Sequence, residues 1–154
     1  MTDAHHQEVT VRYIESWPAH EPRTSDPHYA LFHLAKRRLK KAGLLKCNVT
    51  SDYHYGVIEL HHDKVEYAHI NDIDLGKFNE AYGLNLDDEQ FQEYVEQEGN
   101  LEPLCTLHHR GQEGIHSLPT PTWNVLRTSK DPKHVITALQ NTEIGVQKDP
   151  NVPS

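Results

Sequence analysis

A chain of 154 residues with 36% hydrophobic content and a mean hydropathy of -0.76 has room for one domain, with a core confined to its middle and polar ends. A formal charge of -8 excludes a protein that coats nucleic acid by bulk electrostatics, because phosphate neutralisation needs clustered Lys and Arg. No run nears the roughly 18 apolar residues of a membrane-spanning helix, and the opening MTDAHHQEV lacks the basic and apolar regions of a secretion signal, so a cytoplasmic protein without a membrane partner is expected.

Residues 1–25 carry Pro18, Pro22 and scattered charge without periodicity, which predicts a loosely ordered arm. The domain proper is expected over 26–128. Ser25 or Asp26 can cap a helix with Pro27 at its first position, and Tyr29, Leu31, Phe32, Leu34, Ala35 and Leu39 keep helical spacing until Gly43. Cys47 to Tyr55 reads as a polar bridge, and Gly56 to Leu60 as a short strand ending at the pair His61-His62. A second helix is expected from Asn71 or Asp72 to Gly83, and a third from Leu86 to Gly99; both are acidic. Asn100 to Cys105 predicts another strand, followed by a helical stretch from Thr106 to Arg110 that Gly111 and Gly114 interrupt. Beyond Pro119 the helix signals weaken, although Trp123, Val125 and Leu126 can dock on the core. The segment 129–154 is expected to hold one short helix at 132–140 and a frayed tail.

Thirteen histidines are the outlying feature, and six of them, His61, His62, His69, His108, His109 and His116, fall in two short stretches. Histidine is the commonest metal ligand and the side chain that titrates near neutrality. Two features therefore belong together: a strand ending in Leu60-His61-His62, and Asn100-Leu101-x-x-Leu104-Cys105-x-x-His108-His109. Over residues 56–118 this pattern resembles the HNH endonuclease motif, in which a strand ends in Asp-His or His-His and an Asn-Leu-x-x-Leu-Cys-x-x-Cys-His segment leads into the helix of a ββα-metal unit. The resemblance implies an α+β fold, mainly helical, with that motif interrupted by a helical insertion between its two strands. Small size and the lack of an attached targeting domain are similar to HNH proteins of bacteriophages.

The resemblance also implies roles. His62 matches the general base, His61 and His109 the metal ligands, and Asn100 the central Asn, which orients the base or touches the metal. Base chemistry suits an imidazole, whose ordinary pKa of about 6.5 needs little tuning. His116 joins as a third ligand if the bend from Gly111 to Gly114 turns the chain back. One divalent ion is expected: imidazoles suit zinc, nickel or manganese, whereas Asp63 or Glu59 in the shell would favour magnesium. The substrate implied is DNA, cut to 5′-phosphate and 3′-hydroxyl ends.

Lys36, Arg37, Lys40 and Lys41 stand out in an acidic chain and are expected, with Arg110, to seat a nucleic-acid backbone. The family's second Cys is replaced by His108, and no Cys-x-x-Cys lies upstream, so a separate structural zinc knuckle is not predicted and Cys105 reads as core. His54 is assigned no role. Two other readings stay open: a non-catalytic zinc-binding module that presents its basic helix to nucleic acid or a protein, and a nuclease acting on RNA or a small phosphodiester.

Overall fold

The computed structural model describes residues 1, 3, 14, 16–19, 22–51 and 53–130, so the expected helix at 132–140 lies outside the described residues. After a 3-10 turn at Arg23–Ser25, helix α1 spans Pro27–Lys41. Its start follows the sequence chemistry: the Asp26 carboxylate accepts a bond from the His28 amide at 2.8 Å, and Pro27 holds the first helical position. Gly43, at a positive φ of 72°, takes the chain away from the helix end.

Strand β1 is Ile58–His62, so the histidine pair lies inside the strand and not just past it. A 3-10 turn at Tyr67–Asp72 replaces the expected start of the second helix, and helix α2 covers Leu75–Tyr82 under an Asp74 cap. Helix α3, Asp88–Tyr94, begins with the reciprocal capping box of Asp87 and Gln90. It is shorter than the Leu86 to Gly99 expected, the remainder forming turns. Strand β2 is Leu101–Cys105, followed without a break by helix α4, Thr106–Arg110. Helix α5, Thr120–Thr128, forms where the sequence signals were weak, because Trp123 and Leu126, three residues apart, bury against Leu104 and Val49.

The two strands pair antiparallel, with His61 opposite Glu102 and His62 opposite Leu101. Alternation then divides the residues between two faces. Leu60 and His62 face α1, where Leu60 and Leu101 pack on Ala35 and Leu39, and Phe32 stacks on His62 with ring centroids 6.0 Å apart. Glu59, His61, Glu102 and Leu104 face the other way, towards α4 and α5. The insertion between the strands has its own core of Val65, Ile70, Phe78, Phe91 and Val95. Among the described residues no helix is long and apolar enough to cross a membrane.

Candidate metal centre

His61, His109 and His116 come from three parts of the chain and converge. His61 is fixed by the ladder; His109 rides on α4, which the end of β2 delivers over the same face. His116 returns because the chain turns at Gly111 and Gly114, closed by bonds from the Gly114 amide to the Gly111 carbonyl at 2.9 Å and from the Ile115 amide to the His108 carbonyl at 3.0 Å. A side chain at Gly114 would collide with the His109 backbone at 2.6 Å, so the return needs glycine there. One ligand atom from each histidine lies within 4.8 Å of the other two. The His109 and His116 Nε2 atoms are 3.2 Å apart, close to the roughly 3.3 Å that separates two nitrogens bound tetrahedrally to one ion at about 2.0–2.1 Å.

Burial drives the His61 pKa down to about 3, with repulsion from His116 and His109 adding to it. His109 is also lowered, by burial first, although its bond to Glu59 works against that shift. Both imidazoles are therefore neutral at pH 7, and the buried His61 Nδ1 has no hydrogen-bond partner. The buried, unpartnered His61 Nδ1 is costly in isolation, and beside the His109 and His116 imidazoles it is suited to sharing a cation. The donor set is all imidazole, which fits zinc, nickel or manganese better than magnesium.

Glu59, two residues before His61 on the same face, organises α4. Its Oε2 accepts from His109 Nδ1 at 2.6 Å and from Arg110 Nε at 2.9 Å, and its other oxygen pairs with the Arg110 guanidinium. Burial alone would raise this carboxyl, but the bonds from Arg110 and His109 outweigh it and hold the group below the usual carboxylate range. The Nδ1 bond leaves Nε2 of His109 aimed at His116, the arrangement by which a carboxylate orients a metal-binding histidine. Arg110 is thus committed to Glu59.

His62 and Asn100 occupy the neighbouring ground. His62 Nε2 lies 3.2 Å from the buried Glu96 carboxylate, and its Nδ1 lies 3.6 Å from Glu66. An open cleft of about 470 Å³ is lined by His61, His62, Asp63, Glu66, His69 and His116, together with Ser16 and Trp17. Asn100, 1% exposed, accepts at Oδ1 from the amides of Lys64 (2.8 Å) and Val65 (3.0 Å) and donates from Nδ2 to the carbonyls of Val65 (2.8 Å) and Val95 (2.9 Å). All four of its hydrogen-bonding positions are used. Asn100 therefore ties the loop after His62 to the end of α3 and has no lone pair left for an ion.

A second cluster lies at the other end of the sheet. Cys47, His54, Cys105 and His108 each bring a ligand atom within 4.8 Å of the rest. His108 Nδ1 is 3.2 Å from Cys105 Sγ and 3.5 Å from Cys47 Sγ, against roughly 3.5 Å for sulfur and nitrogen bound tetrahedrally to one zinc. Burial, then repulsion from His54, lowers His108 to about 4, and burial raises the Cys47 thiol. Cys105 is indeed buried, as expected of core, but its sulfur faces this cluster. The Cys105-x-x-His108 spacing was the available signal; the irregular Cys47-x6-His54 half concealed its complement. Glu96 had no sequence signal, being 34 residues from His62.

Of the proposed nucleic-acid contacts, Arg37, Lys40 and Lys41 are exposed on α1 and Lys36 is half-buried. No protein-family model, curated protein or solved structure matches the chain.

Proposed function

We propose that this protein is a metal-dependent endonuclease that hydrolyses DNA phosphodiesters at the three-histidine centre, with β1, β2 and α4 forming a ββα-metal unit. The observation that carries the reading is the convergence of His61, His109 and His116 at a cleft that His62 also lines. The order and types of residues in the HNH-like pattern support it further.

In this reading His61, His109 and His116 hold one divalent ion, which when bound supplies positive charge to the phosphate and the departing oxygen. His62 takes a proton from water; the water oxygen bonds to phosphorus, and the P–O3′ bond breaks with its electron pair on O3′, which picks up a proton from solvent. Products carry 5′-phosphate and 3′-hydroxyl ends. Asn100 keeps the loop after His62 in place through its four bonds, and Glu59 keeps His109 turned towards the ion. Phe32 touches His62, so Lys36, one turn further along α1, starts a basic face within a helical turn of the site and gives the backbone a seat in an acidic chain. Cys47, His54, Cys105 and His108 form a closed set of four ligands with no position for substrate, and hold a structural zinc that clamps the start of α4.

The test is nicking of supercoiled plasmid across zinc, nickel, manganese and magnesium. Cleavage dependent on a divalent ion is expected. His62→Ala should lose about 10²–10⁴-fold in rate while keeping its metal content, and His109→Ala should lose both activity and one equivalent of metal. Absence of cleavage of plasmid and single-stranded DNA with every ion would overturn the reading; cleavage of RNA alone would replace its substrate.

A further inference from the structure

The helical insertion between the strands brings Glu96 to His62, beside the Asp63, Glu66 and His69 that line the cleft. Glu96 lies two residues past the end of α3, is 4% exposed, and sets its Oε2 3.2 Å from His62 Nε2. A carboxylate so far out of water is costly unless it is bonded, and the partner it has is the imidazole of His62. The two ring nitrogens of His62 are not equivalent. Nε2 is within hydrogen-bonding reach of Glu96, whereas the 3.6 Å from Nδ1 to Glu66 is outside it. Glu66 belongs to the wall of the cleft, with Asp63, His61, His69 and His116, while Phe32 of α1 covers the ring face.

We propose that Glu96 is a positioning residue that the insertion supplies to His62: it accepts the Nε2 proton, fixes that tautomer, and leaves the Nδ1 lone pair turned to the cleft as the proton acceptor. The proposal rests on the nuclease reading for its catalytic consequence, but the tautomer itself does not depend on activity. Anchoring is built in twice, because Val95, the residue before Glu96, gives its carbonyl to Asn100, and Asn100 in turn holds the loop after His62. The insertion and the catalytic strand are thereby locked on both sides of the same imidazole. A neutral histidine oriented by a bond at one nitrogen presents the other in a defined direction, which is how a carboxylate makes an imidazole an effective base.

Long-range proton–nitrogen correlation spectra of the full chain at pH 8 decide the structural half without any substitution. His62 is expected as the neutral ring protonated on Nε2; a ring protonated on Nδ1 would overturn the proposal even if the protein cleaves DNA. Plasmid nicking under saturating metal decides the rest. Glu96→Gln, whose amide oxygen still accepts the Nε2 proton, should keep the tautomer and stay within about threefold of wild-type kcat, whereas Glu96→Ala should mix the tautomers and lose about 10–100-fold in kcat with KM and metal content unchanged. Equal kcat in Glu96→Ala and wild type would contradict it. Should Glu96→Ala not fold, Glu96→Asp, too short to reach Nε2 at 3.2 Å, serves the same comparison. If wild type cleaves nothing, the spectra of wild type and Glu96→Gln still test Glu96, and the nuclease reading fails on its own.

Discussion

A histidine buried as a neutral base stabilises the folded chain only while the solution leaves it neutral. His61 and His108 titrate at about 3 and about 4 in the fold, against 6.5 for an ordinary imidazole. Between those folded values and 6.5 the unfolded chain binds more protons than the native one, so native stability is complete above 6.5 and falls as pH drops towards 4 and then 3. Glu59, held low by Arg110 and His109 against its burial, loses its contribution in the same direction below about 4.5. Glu102, raised by burial, works the other way and softens the fall around that pH. Urea midpoints of the chelator-treated protein should therefore be level from pH 8 to 7 and decline steadily from 6.5 to 4. A midpoint unchanged down to pH 4 would mean that these imidazoles are not buried as neutral groups.

At the scale of elements, the junction between β1 and α4 holds both clusters in place. Gly56 sits at φ 81° just before β1, and a side chain there would run into Thr106 at the first turn of α4. The same junction is tied by the Thr106 amide to the Val57 carbonyl at 3.1 Å and the Leu107 amide to the Tyr55 carbonyl at 3.2 Å. Gly56→Ala combines a left-handed backbone with that clash and should cost about 1–3 kcal/mol, read from urea unfolding, with weakened metal retention at His108 and His109. A change below about 0.5 kcal/mol would show that the junction yields freely. Elements with local signals were legible: α1 through Asp26 and Pro27, α2 through Gly83, and both strands through apolar runs ending at His61-His62 and at Cys105. What escaped depended on distant partners. Helix α5 exists because Trp123 and Leu126 find Leu104, and the Cys47–His54 half of the second cluster becomes a site only when β2 brings Cys105 and His108 beside it. His61 and His62 were legible as a pair, but their separation by strand alternation, one towards α4 and the other towards α1 and Glu96, required the register with Glu102 and Leu101.

For the molecule as a whole, the small sheet and α4 together assemble one all-histidine cluster and one Cys/His cluster, and the charge is divided by element. The basic residues crowd the second half of α1, while α2, α3 and their loops carry acidic groups such as Glu80, Asp88 and Glu89. On the nuclease reading we propose, the basic half of α1 gives a polyanion a positive approach on an acidic chain. The nuclease reading depends on the three-histidine centre holding an ion beside His62. Anomalous diffraction at the metal edge, from crystals grown with zinc, nickel or manganese, tests that most directly. Two peaks are predicted: one about 2.0–2.1 Å from nitrogens of His61, His109 and His116 with coordination open to the cleft, and one enclosed by Cys47, His54, Cys105 and His108. A peak at the second cluster alone, with all three metals, would contradict the catalytic centre and leave a structural zinc module in its place.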